Sequence, residues 1–176
     1  MANKKHSGKY RINLNAKEIE REVERVKRMR SDIRKSAIDD LNHLARFAEV
    51  QLAARIPRDT GDLASSARCT VDASKLTLTI KVGTDHALYV EFGTGIRGLE
   101  HQHPSEEWLD EAKWDYNSMV SDHIFLMSDG EPGWIYKDDT GRFRATHGRP
   151  ASHYFYDTIQ AVMDEARRIG VNLYYT

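Results

Sequence analysis

Two histidines two residues apart, His101 and His103, are the most metal-like feature of this chain. On an extended strand, side chains at i and i+2 point the same way, so both imidazoles could reach one ion. They stand, however, in a turn-rich run before Pro104, and His86 and His123 are elsewhere. No HExxH, no CxxC and no aspartate at a familiar ligand spacing accompanies them, so they read as a polar loop with exposed imidazoles. Glu106-Glu107 and Asp110-Glu111 could supply carboxylates for acid–base work, but their spacing equally suits the wet face of a helix. Cys69 has no local electropositive setting to activate it, and it reads as a small apolar residue of a strand. There is no GxSxG nucleophile turn. Gly93-Thr94-Gly95-Ile96-Arg97-Gly98 satisfies GxGxxG, yet a dinucleotide site needs a strand before the motif and a helix after it. Leu99 to Pro104 does not begin a convincing helix. The residues therefore give no catalytic group, no metal and no cofactor. A histidine-metal hydrolase on His101 and His103 stands as the alternative of another class, and metal content after dialysis separates it. A DNA-binding module would be marked by strong salt-dependent affinity.

The chain that must position these residues has 176 residues, 40% hydrophobic and 30% charged, which suits one domain with one core and a well-solvated surface. No apolar run is long enough to cross a bilayer, and the basic N-terminus lacks the apolar segment of a secretory signal. A single cysteine excludes an internal disulfide and fits a reducing cytoplasm. Net charge is −1 but unevenly placed. Residues 1–36 carry 12 Lys/Arg against 5 acids, net +7, and the rest carries 14 against 22, net −8. Such asymmetry suits either a solvated helix with a frayed tail or an arm that meets an acidic surface. Tight DNA binding would call for a chain basic overall.

From Ile19 the apolar residues Val23, Val26, Ile33, Ala37, Leu41, Leu44, Ala48, Leu52 and Ile56 fall mostly in threes and fours, one stripe of a long helix. Pro57 ends it, and Ser31-Asp32 marks a bend or break. Residues 1–14 read as a flexible basic arm and 15–176 as a single α+β domain. Asp59-Thr60-Gly61-Asp62-Leu63 reads as a turn. Ser65–Val71 and Leu76–Val82 form a hairpin, the second strand alternating cleanly. Leu88–Phe92 reads as a third strand closed by Gly93-Thr94-Gly95, which by alternation turns Glu91 away from Val90. Residues 97–132 read as an insertion, helical from Ser105 with Trp108, Leu109, Ala112 and Met119 as contacts. Trp134–Lys137 and Arg142–Thr146 form a second hairpin around Asp138-Asp139-Thr140-Gly141. A last helix spans about residues 152 to 169, with Phe155, Ile159, Val162, Met163 and Ala166 inward. The architecture expected is a long N-terminal helix and a C-terminal helix packed on a small antiparallel sheet. The aromatic residues Trp134, Tyr136, Phe143, Tyr154, Phe155 and Tyr156 are read as core and interface residues.

Read in order, helix, TGxL, hairpin, YVEFGTG, insertion, W-x-Y hairpin, G-x-P and helix, the chain resembles the neck or tail-completion proteins of long-tailed bacteriophages, the gene-product-ten-like family of lambdoid phages. The matching positions are Thr60, Gly61, Leu63 and Ser66, then Val82-Gly83-Thr84, then Tyr89, Val90, Glu91, Phe92, Gly93, Thr94 and Gly95. Trp134, Tyr136, Gly141, Thr146, Gly148, Pro150-Ala151 and Phe155 follow. YVEFGTG is the most specific segment. The stretch before Phe155 is less proline- and arginine-rich than the family's usual ending, and the insertion is longer. The resemblance implies a structural, non-enzymatic virion protein at the head–tail interface, assembled in the host cytoplasm. Thr60, Gly61, Leu63, Tyr89, Glu91, Phe92, Gly93, Thr94, Gly95, Trp134 and Tyr136 become the candidate interface or structural positions. The implied partners are further copies of the chain, in a ring of roughly six or twelve, a head-closure or connector protein, and a tail terminator or tail tube protein. DNA would pass through the lumen without specific binding, and no membrane is involved. A minor tail or tail-terminator subunit is the alternative on the same fold.

Overall fold

A computed structural model describes residues 15–57, 61–84, 86–116, 124–137 and 140–174. The expected basic arm, together with Asp59, Thr60, Met119, His123 and Asp138-Asp139, lies outside the described residues. The chain divides into two compact units, Met1–Asp40 and Leu41–Thr176.

Helix α1 runs Ala16–Arg55 without interruption, so Ser31-Asp32 does not break it. Good helix formers on both sides of that pair and the pairs Glu22–Arg25 (3.3 Å) and Glu24–Lys27 (2.8 Å) favour continuation over a fresh cap. The helix stops at Arg55, two residues before Pro57. In the first unit α1 is exposed at every residue from 15 to 36.

The second unit holds the core. A short helix α2 (Asp62–Ser66) precedes the hairpin of β1 (Arg68–Asp72) and β2 (Thr77–Lys81). The first strand thus starts three residues later than its sequence suggests. The register pairs Cys69 with Ile80 and Val71 with Leu78, so one face of the hairpin is apolar and half-buried. Asp72 closes the turn: the Ser74 hydroxyl (2.5 Å) and the N–H groups of Lys75 (3.2 Å) and Ser74 (2.8 Å) donate to its carboxyl and hold it below the usual range.

Leu88–Phe92 is not a strand. Ala87–Phe92 is helix α3, with Ala87, Val90 and Glu91 buried together on one face. An apolar run of five residues carries no period long enough to tell strand from helix, and here the tertiary partner decides it. Helix α4 (Gly95–Glu100) and helix α5 (Glu106–Ala112) follow. Ser105 caps α5, its Oγ accepting from Trp108 N–H at 3.3 Å. A three-stranded antiparallel sheet comes next, β3 (Phe125–Leu126), β4 (Pro132–Lys137) and β5 (Phe143–Thr146), in that spatial order. Its β4–β5 half is the expected second hairpin, Trp134 facing Thr146 and Tyr136 facing Arg144. Helix α6 (Tyr154–Arg168) ends the fold and buries Tyr154, Thr158, Val162 and Ala166. The fold is therefore α+β as expected, with two small antiparallel sheets among the described residues.

Two clusters make the core. Leu44 and Ala48 of α1 meet Val162 and Ala166 of α6. Leu52 and Ile56 meet Leu63, Ala87, Val90 and Tyr154. Beside the first cluster, Glu165 accepts from Arg168 Nε and Nη2, both at 2.6 Å, and from His43 Nε2 at 2.6 Å. These partners hold its carboxyl at about 2, against an ordinary 4.5. A depressed carboxylate contributes stability above its unfolded pKa and loses it as pH falls towards its folded value. Thermal melts should therefore fall as pH drops from about 4.5 to about 2. Glu165→Gln should melt lower than the native chain at neutral pH and converge on it near pH 2. A constant gap across that range would show that the carboxylate charge is not what stabilises.

Candidate functional site

The YVEFGTG segment is the α3–α4 junction, and its carboxylate and several of its backbone groups find partners inside the fold. Glu91 is 3% exposed and its carboxylate reaches the start of α6. Phe155 N–H donates to Oε2 at 2.8 Å and Tyr156 N–H to Oε1 at 2.9 Å. A helix leaves its first amides without internal partners and carries partial positive charge there, so a buried carboxylate satisfies both demands. The return direction is also filled. Ser152 N–H (3.1 Å) and Oγ (2.7 Å) donate to the Val90 carbonyl, and His153 N–H to that of Glu91 at 3.3 Å. The C-terminus of α3 and the N-terminus of α6 thus cap each other.

The rest of the junction follows the same accounting. Tyr116 Oη donates to the Phe92 carbonyl at 2.8 Å, and Trp114 Nε1 to that of Gly93 at 3.1 Å. Thr94 and Arg149 exchange backbone bonds at 2.7 and 3.0 Å as an isolated antiparallel bridge. Gly95 takes φ +59° and lies against the Trp134 ring, where a Cβ would overlap the indole. Gly93 passes equally close under Arg149–Ala151. Trp134 is 5% exposed for this reason, although it sits on a hairpin whose other residues are mostly exposed.

His103 is the second member of the node. It is 4% exposed, its Nδ1 accepts from Ser105 N–H at 3.1 Å, and its Nε2 lies 3.2 Å from Glu91 Oε1. An Nδ1 that accepts leaves the proton on Nε2, so His103 donates to Glu91. The ring stacks on Trp108 at 5.7 Å and meets Phe92 (4.9 Å) and Tyr156 (5.1 Å) edge-on. Burial, with the nearby Glu91 charge adding to it, pushes the Tyr154 phenol well above the usual range. A cavity of about 210 Å³ opens beside Glu91, Trp108 and Phe155, lined mostly by apolar side chains.

Of the candidate positions, Glu91, Phe92, Gly93, Thr94, Gly95 and Trp134 come together in this node. Leu63 lies in the core with Val90, and Gly61 is exposed at the start of α2 with φ 78°. Thr60 falls outside the described residues. Tyr89 and Tyr136 are 48% and 47% exposed, Tyr89 leaning edge-on against Trp114 at 5.3 Å. Alternation on a strand would turn Glu91 away from Val90, but in helix α3 the two are buried together, and Glu91 caps backbone 64 residues away. His101 is exposed while His103 is buried, so the pair does not converge. Among the described residues no three His, Cys, Asp or Glu side chains could hold a metal ion. GTGIRG is preceded by a helix, and its glycines serve packing against Trp134 and Tyr116. His103, Trp108, Trp114, Tyr116 and Arg149 were not singled out as members of this node. Their only sequence signal is the aromatic and histidine density after GTG.

Residues 17–93 match the family described as "Bacteriophage HK97-gp10, putative tail-component". The matched span takes in α1 to α3 and stops at Gly93, so the α6 side of the mutual cap lies beyond it. No curated protein and no solved structure matches the chain.

Proposed function

We propose that this chain is a bacteriophage tail component and serves as the neck or tail-completion subunit, a ring of copies between the head connector and the tail through which DNA passes. The observation that carries the reading is the family match over residues 17–93. The node is compatible with a structural part, because its polar groups cap backbone inside the fold. Among the described residues no helix is long and apolar enough to cross a membrane.

The charge distribution suits the same role. A net −8 beyond residue 36 favours a lumen along which DNA slides without sticking. A net +7 before it favours docking on an acidic neighbour. A ring closes through head-to-tail contacts, for which the short exposed hairpin edges offer strand pairing. Its neighbours would be the head-closure or connector protein and the tail terminator or tail tube protein.

Electron microscopy of lysates from a phage deleted for this gene tests the reading. Filled heads beside separate, finished tails are the expected result. Tails of irregular length would move the role to tail termination, and intact infectious particles would reject a role in the virion joint.

A further inference from the structure

Among the described residues of the first unit, α1 leaves its apolar stripe exposed. Ile19, Val23, Val26 and Ile33 are 43%, 46%, 61% and 69% exposed, although the same stripe further along α1 supplies Leu41, Leu44, Ala48 and Leu52 to the core. A helix bare over five turns is marginal in water without a packed face. The spacing says what kind of face fits. Ile19, Val23, Val26, Arg30, Ile33 and Ala37 step by four, three, four, three and four. That is the 3.5-residue seam of a coiled coil, which a partner helix matches and a flat surface does not.

We propose that the partner is the α1 of a second copy, running antiparallel, with Ile19 opposite Ala37, Val23 opposite Ile33 and Val26 opposite Arg30. The charges choose the direction. A parallel in-register pair sets Arg30 against Arg30 within the seam, two buried guanidiniums with no acid between them. The antiparallel register lays each Arg30 stem along a Val26, with its head free to reach water. It sets Glu20 of each copy opposite Arg34 of the other and joins Met29 to Met29. Lys27 faces Lys27 at the edge, where Glu24 of its own helix already bonds each amine at 2.8 Å. Residues 16–40 hold 8 Lys/Arg and 7 acids, so two such helices meet without a large net repulsion. The contact is isologous and cannot close a ring by itself, so it is separate from the head-to-tail contact of the proposed function.

Sedimentation of the purified full-length chain over a range of concentrations reads the pairing directly. A monomer–dimer equilibrium is expected, and Ile33→Asp should weaken it at least tenfold; at concentrations where both chains are monomeric the two should melt alike, because Ile33 is exposed in the single chain. Pulsed electron spin resonance then reads direction, with a nitroxide on Lys17→Cys in a Cys69→Ser background. Antiparallel helices in this register separate the two labelled backbones by roughly 33 Å at 1.5 Å per residue, and parallel ones by about 10 Å. A chain monomeric at all concentrations, a dimer indifferent to Ile33→Asp, or the short distance would each overturn the proposal.

Discussion

Glu91→Ala should destabilise the chain by about 3–5 kcal/mol, the usual cost of removing one partner from a buried charged network. Two α6 amides and the His103 Nε2–H lose their acceptor at once, in a place that excludes water. Glu91→Gln keeps the volume and one good acceptor but turns an amide donor towards other donors, so about 1–3 kcal/mol is expected. Urea unfolding of the two variants decides it. If Ala and Gln cost the same, or both cost under about 1 kcal/mol, the carboxylate is not what holds α3 to α6.

Gly95→Ala is the second large effect. The new Cβ would stand inside the Trp134 ring, and the backbone sits at φ +59°, which costs a side chain extra. A loss of about 4 kcal/mol or more is expected, a large share of a domain's whole stability. Gly61→Ala is the matched control. It also has a positive φ, but nothing lies within 4 Å of the added carbon, so only about 1 kcal/mol is expected. The overlap can be tested separately from the strain. Adding Trp134→Leu to Gly95→Ala should recover part of the stability, so the pair costs less than the sum of its singles. Strict additivity would mean that the glycine is needed for its backbone angle alone.

What could be read beforehand divides along physical lines. The long stripe of α1, the alternation of β2, the turn chemistry around Asp72 and the second hairpin are local signals summed over many residues, and they appear where expected. Leu88–Phe92 is the instructive failure. Its aromatic and β-branched residues favour a strand, and the α6 amides that make it a helix enter the chain more than sixty residues later. Glu91 stands out in sequence only through the family resemblance, and its partner cannot be named there because a backbone N–H leaves no mark in sequence. His103 reads in sequence as an exposed loop imidazole or else a metal ligand, since a histidine pair looks the same whether it meets water, binds an ion or has one member buried under a tryptophan. The GTG glycines were read as turn residues, and their closer role, making room for an indole, needed the position of Trp134.

The mutual cap between α3 and α6 also sets an order of events during synthesis. Glu91 and the Leu44–Ala48 face of α1 are made early, yet their partners are Phe155, Tyr156, Val162 and Ala166. Contacts so distant along the chain form late and slowly. On the ribosome the first half therefore waits with an uncovered apolar face and an unanswered carboxylate until the last helix has emerged. A product cut short before α6 cannot complete the body. The cell's proteases then meet an open chain rather than a folded body.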